Sequence, residues 1–189
     1  MENSIDDRRT RKTRGLIKQA LIQLLAEKDI RDISVSELSD LADINRGTFY
    51  LHYTDIYDLF AQVEGEAMNE FGQYISRYKE NSQVTGMPIL LDLFEYVKAN
   101  EKLFKAILRT KEANFLGRVI EMSRPQGQAE FCKLYKKWDE KQFDYYYDFM
   151  AFGAVAMVRH WFERGMPETP EYMAQLAEKM VKNCIENVG

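Results

Sequence analysis

The chain of 189 residues holds only two cysteines and two histidines. Cys132 and Cys184 stand far apart and match no metal-ligand or redox spacing, so a disulfide framework and a zinc site are not expected, and the usage fits a reducing cytoplasm. No apolar run approaches the roughly 18 residues that cross a bilayer, so no membrane partner is expected. The N-terminal stretch MENSIDDRRTRK is polar and lacks the apolar centre of a signal peptide. A phosphate-cradling glycine loop, a nucleophile elbow and a metal-ligand pair at helical spacing are all missing. Carboxylates are plentiful, but they fall on polar helix faces, where solvation is their default. No constellation is left for catalysis, and no cofactor or metal is expected.

Charge is the next shortage. The net charge is −4, which excludes a generally basic nucleic-acid binder. The distribution qualifies this. Arg8, Arg9, Arg11, Lys12, Arg14 and Lys18 follow one another without an acidic residue between them, while the rest of the chain is acidic on balance. A local positive patch on an acidic body suits a protein that touches DNA at one end. A solvated helix start explains the same run equally well when it is taken alone.

What the chain does have is helical period. With 46% apolar and 30% charged residues it is globular. A first helix is expected from about Arg9 to Glu27, burying Ile17, Ala20, Leu21, Leu24 and Leu25. After a connection that tucks in Ile30 and Ile33, Ser34 can cap a second helix, and Glu37 three residues on completes a capping box. Val35, Leu38 and Ala42 give that helix an apolar stripe. Asp43-Ile44-Asn45 interrupts the pattern. Asn45 then caps a further short helix from Arg46 to Tyr53. Phe49 and Tyr53 turn inward with Ile44, which leaves Arg46, Thr48, Tyr50 and His52 for other faces. A helix anchored on one side, with arginine, hydroxyl and imidazole groups on the other, is what a major groove accepts.

The run from Ile44 to Tyr53, INRGTFYLHY, followed by Thr54-Asp55-Ile56-Tyr57-Asp58-Leu59-Phe60, resembles the N-terminal domain of the TetR family of transcriptional regulators. The resemblance extends from about Arg9 to Phe60, with a weaker one around Gly153 to Pro167. Two positions depart from the family pattern. Asp43 stands at the turn glycine, and aspartate tolerates a left-handed backbone less readily than glycine. Ile56 replaces the usual lysine at the start of the long helix, which removes one phosphate contact. The resemblance implies an all-α fold: a three-helix helix-turn-helix head at residues 1–55 and a C-terminal helical bundle domain at 56–189, for effector binding and dimerisation.

Chemistry and resemblance together assign the DNA-facing residues. Arg9, Arg11 and Lys12 supply positive charge, and Ser34 and Ser36 put hydroxyls at a helix start that suits phosphate. Arg46 and Thr48 point at base edges, and arginine can take both acceptors of guanine. Gly47 lets the backbone approach, Leu51 can touch a thymine methyl, and Tyr50 and His52 resemble family positions that reach phosphate or base.

Beyond the head, a long helix is expected to run from after Tyr53 to about Tyr78 and to act as a lever between the domains. Residues 80–88 break it. A stripe of Ile89, Leu90, Leu93, Phe94 and Val97 precedes a bend at Asn100 and a short helix with Leu103, Phe104, Ile107 and Leu108. A helix to Met122 should end at Ser123-Arg124-Pro125-Gln126-Gly127. Phe131, Leu134, Tyr135 and Trp138 recur at helical spacing and suggest another helical piece, with a mobile loop as the equal alternative. Tyr145 to Val158 is apolar nearly all round, which predicts burial on more than one face. Gly165 and Pro167 end that helix, and Thr169-Pro170-Glu171 starts the last one.

These last two helices resemble the pair that joins its twin in a family dimer. Phe152, Gly153, Ala156, Met157 and Met180 are accordingly the dimerisation candidates. Phe104, Trp138, Tyr146, Phe149 and His160 are candidates to line or orient a small-molecule effector, against a plain reading as core or interface. The expected function is a homodimeric repressor that leaves a palindromic operator in double-stranded DNA when a ligand binds the C-terminal domain. The alternative keeps the DNA head and has the C-terminal domain dock a protein coactivator.

Overall fold

The computed structural model describes residues 2–79, 87–110, 115–134 and 140–186. Among these the structure is all-helical: α1 (Glu2–Leu25), α2 (Val35–Leu41), α3 (Arg46–Tyr50), α4 (Ile56–Lys79), α5 (Met87–Ala99), α6 (Glu101–Arg109), α7 (Phe115–Leu134), α8 (Glu140–Glu163) and α9 (Pro170–Glu186), with a short 3-10 turn at Ile30–Asp32. Two compact units emerge from the contacts, one of residues 1–67 with 101–113 and one of 68–100 with 114–189. The division therefore falls inside α4, after Ala67, while a boundary at 55/56 follows the helix start.

The first unit is the head. Its core gathers Ile17, Leu21, Leu24 and Leu25 of α1 with Ile30, Ile33, Leu38, Ala42, Phe49, Tyr53, Ile56, Leu59 and Val63. Helix α1 packs on α2 and α6, and α2 on α3. The return of α6, with Ala106 in the core and Leu103 against it, was not legible from periodicity. Helix α1 also begins earlier than the expected Arg9, because neither glycine nor proline interrupts residues 2–13 and Glu2 favours a helix start.

In the second unit α5 packs along α9, α7 packs on α8, and α8 touches α9. The end of α8 has the expected glycine stop. Gly165 adopts φ 79° and Met166 φ 52°. Gly165 N–H donates to the Phe162 carbonyl and Met166 N–H to that of Trp161, both at 2.9 Å, which closes a Schellman motif. Thr169 caps α9 by accepting from Tyr172 N–H at 3.2 Å.

Two expectations fail here. The predicted break at 123–127 is absent, and α7 runs through Pro125. Proline deprives the Glu121 carbonyl of its helical donor. The surrounding carbonyls gain side-chain donors instead: Ser123 Oγ donates to Val119 at 2.9 Å, and Tyr147 Oη to Ile120 at 2.7 Å. Helix α8 is also buried on one face and not on several. Phe143, Tyr147, Val158 and Trp161 are buried, but Tyr145 is 80% exposed, Phe149 68% and Phe152 61%. Apolar character on that side serves a surface of this chain rather than its core.

Tyr147 is held on three sides. Its hydroxyl lies 2.8 Å from Ser123 Oγ as well, and the Arg124 guanidinium sits 4.7 Å from the ring centroid. The ring lies over Gly127, where an added Cβ would meet it at 2.5 Å. Gly127→Ala should therefore cost roughly 1–3 kcal/mol, the usual scale for overpacking a site whose neighbour cannot move away. Thermal unfolding measures this, and an unchanged midpoint would contradict the packing described.

Candidate nucleic-acid interface

The head presents its chemistry because its core fixes which way α3 faces. Phe49 is fully buried and Tyr53 nearly so, their rings 5.7 Å apart. Turning these two inward drives the intervening positions outward. Leu51 is 81% exposed and Tyr50 58%, with Tyr50 standing edge-on to Phe49 at 5.4 Å. Arg46 and Gly47 are exposed, and Thr48 and His52 are half-buried. Helix α3 is shorter than expected and ends at Tyr50, although Tyr53 N–H still donates to the Phe49 carbonyl at 3.0 Å.

The bend before α3 depends on Asp43, which adopts φ 53° in the position where the family carries glycine. Ile44 N–H then reaches back to the Ser39 carbonyl at 3.0 Å. Ser34 caps α2 as expected, accepting from Glu37 N–H at 3.2 Å. The reciprocal half of the capping box is replaced, because the Glu37 carboxylate is taken by Lys28 Nζ through both oxygens. Asn45 occupies the N-cap position of α3 without a side-chain cap bond. Arg46 Nη2 donates to Ser36 Oγ, so two of the expected DNA-facing residues, one on each helix of the pair, meet each other.

The basic run divides by exposure. Arg8, Arg9, Arg11 and Lys12 are exposed. Arg14 and Lys18 are half-buried, and at about 100° per residue Arg14 lies beside the buried stripe of Ile17, Leu21 and Leu25. There Arg14 Nη2 donates to Gln62 Oε1 at 3.0 Å and its Nε to Tyr53 Oη at 3.4 Å, and Lys18 pairs with Glu66. The bond to Tyr53 is the first cause that raises the Arg14 pKa further. Reading for charge alone missed Gln62 and Asp58, although the face that Arg14 occupies in a helical projection was a usable sign.

Asp55 caps α4, accepting from Asp58 N–H at 2.8 Å. The Asp58 carboxylate in turn accepts from Thr54 N–H at 2.8 Å, from Thr54 Oγ1 and from Gln62 Nε2. Tyr57, half exposed, stands beside these groups at the α4 start.

The other candidates are less gathered. Phe104 is fully buried on α6, within the head unit. Tyr146 is half-buried, Phe149 and His160 are exposed, and Trp138 lies outside the described residues. Phe152, Gly153 and Ala156 are exposed and Met157 half-buried on α8, while Met180 is 49% exposed on α9. No group of three or more histidine, cysteine or acidic side chains able to hold a metal occurs among the described residues. None of the described helices is long and apolar enough to cross a membrane.

Comparison with known proteins decides the family. Residues 17–63 match the bacterial regulatory proteins of the tetR family, and residues 85–183 match a transcriptional regulator C-terminal region. The chain belongs to the TetR family of transcriptional regulators. One relative, an uncharacterised helix-turn-helix regulator of Haemophilus influenzae, is 27% identical over 99 residues, 51% of this chain and 48% of its own length. The chain spans about half or less of the length of the curated relatives it matches.

Solved structures agree on the fold. The dihydroxyacetone kinase operon activator DhaS superposes with a TM-score of 0.62 at 20% identity, over 92% of this chain and 96% of its own. NalD of Pseudomonas aeruginosa, the secondary repressor of a multidrug efflux pump, gives 0.67 at 16% identity, over 97% of each chain. The TetR head thus accounts for the short α3, its outward polar face and the basic start of α1.

The Asp58 contacts carry a pH signature. Led by the Thr54 backbone N–H, they hold its carboxyl below the ordinary aspartate value of 3.8. A depressed folded-state pKa stabilises the fold above the unfolded value, and that contribution disappears as pH falls through the folded one. The stability gap between the wild type and Asp58→Asn should therefore be present at neutral pH and narrow below about pH 3.8. Thermal melts across that range measure it, and a gap that widens in acid would contradict the assignment.

Proposed function

We propose that this TetR-family chain is a homodimeric repressor whose α3 reads a palindromic operator and whose C-terminal unit answers an effector. The observation that carries the DNA reading is the outward set Arg46, Gly47, Thr48, Tyr50 and Leu51 on a helix fixed by the buried Phe49 and Tyr53. Arg46 matches guanine's paired acceptors, Leu51 matches a thymine methyl, and Tyr50 and His52 reach the backbone or a base edge. Arg9, Arg11 and Lys12 add contacts to phosphate, and Ser34 and Ser36 bring the α2 start to it. A Cβ at Gly47 would meet nothing within 4 Å, so the fold itself leaves room for a larger residue there. Close approach of DNA is the reason we assign to its glycine.

The dimer reading rests on the outer face of α8 and α9. Tyr145, Phe149, Phe152 and Ala156 follow one another at helical spacing, and Tyr172 and Met180 lie on α9. An apolar face of this kind is costly to leave in water and suits a second copy. Two heads then meet half-sites about one DNA turn apart, or a little more.

The sign of regulation has a second reading with its own support. One structural neighbour is titled an operon activator. In that reading the C-terminal unit docks a protein coactivator instead of a small molecule.

Arg46→Ala should cost roughly 1–3 kcal/mol of operator binding and relax preference at one base pair per half-site. Anisotropy titration on a matched set of single-base operator variants measures this, and unchanged selectivity would remove Arg46 from the reading set. Phe152→Glu should leave the helical signal intact and shift sedimentation from dimer to monomer. A dimer that survives the charge would overturn the assigned interface.

A further inference from the structure

We propose that Arg14 is a positioning residue for DNA binding: its fork onto Tyr53 and Gln62 anchors the basic start of α1 against the head and sets where Arg8, Arg9, Arg11 and Lys12 meet the phosphate backbone. The inference rests on the DNA reading above and adds to it a residue that does not itself touch DNA.

Three observations lead there. Among residues 8–18 of α1 the one buried side chain is Ile17. Arg14 ties α1 to other parts of the head: Nη2 to Gln62 Oε1 at 3.0 Å, Nε to Tyr53 Oη at 3.4 Å, and the guanidinium 5.8 Å from the Tyr53 ring centroid. Gly15 follows at once, and after proline glycine is the poorest helix former, so the exit from the core coincides with the weakest joint of the helix.

The anchor is itself anchored. Gln62 Nε2 donates to Asp58 Oδ1 at 3.1 Å, and Asp58 is pinned by Thr54 at the start of α4. Tyr53 sits in the core directly after the α3 segment. The fork therefore ties the α1 basic face to the two elements beside the reading helix. Arg14 is half-buried and its guanidinium is taken by Tyr53 and Gln62, so it supports the exposed charges by geometry and not by joining them.

Salt dependence separates this role from its rivals, because each phosphate contact contributes about 0.9 to the magnitude of the log–log slope. Binding of the full chain to a fluorescent random-sequence duplex would be followed over a salt series for the wild type, Arg14→Met, Arg14→Lys and Gln62→Met. Loss of the anchor releases several arm charges together. Arg14→Met should thus lower the slope by about two contacts or more. Arg14→Lys keeps the charge but not the fork and should behave like Arg14→Met. Gln62→Met leaves Arg14 in place and should still lower the slope.

A fall of about one contact in Arg14→Met, with the wild-type slope restored in Arg14→Lys and unchanged in Gln62→Met, would make Arg14 a direct phosphate ligand and overturn the proposal. Lower melting temperatures with unchanged slopes would reduce the fork to fold stability and overturn it too. If Arg14→Met does not fold, the Gln62→Met slope decides alone. A wild type that binds no duplex at low salt overturns the DNA reading and this inference with it. A wild type that binds, with variant slopes unchanged, overturns only the anchor.

Discussion

The head depends on the burial of Phe49 and Tyr53. A helix as short as α3 has almost no stability of its own, since its nucleation cost is spread over too few hydrogen bonds. What holds it is the pair of aromatic side chains locked beneath α1, α2 and the start of α4. Once they are inside, the four-residue spacing between them leaves Tyr50 and Leu51 nowhere to go but outward. The hydrophobic contact that stabilises the head is thus the same contact that aims its polar face. A substitution that loosened either ring would degrade recognition before any DNA-facing group was altered.

Much of this was legible in the sequence because the head is built from local rules. The Ser34 cap, the inward Phe49 and Tyr53 and the α1 stripe each follow from the residue and its near neighbours, while the left-handed turn at Asp43 was legible through the resemblance to the family's turn glycine. Long-range pairings were less legible. Nothing in the period of α6 says that Ala106 joins the head core, and nothing local says that Glu37 prefers Lys28 to the backbone of its own cap. The basic run read as one patch, yet its two inward members are spent on Gln62 and Glu66.

The two failed expectations in the second unit share a cause. Pro125 read as a stop because proline removes a donor, but side chains from the same helix and from α8 supply donors near the gap. Tyr145 to Val158 read as buried on more than one face because hydropathy does not distinguish a core from a surface awaiting a partner. Both cases turn on groups brought in from elsewhere, by α8 for the first and, on the account proposed here, by a second copy of the chain for the second. The exposed aromatics of α8 then belong to the same design as the head, since two half-sites need two heads.

The central claim is that this chain reads a palindrome as a dimer. Selection of bound duplexes from a random DNA pool at near-physiological salt tests it most directly. The account predicts an inverted repeat whose half-sites lie about one helical turn apart, or a little more. A lone half-site, or no enrichment over several rounds, would contradict it.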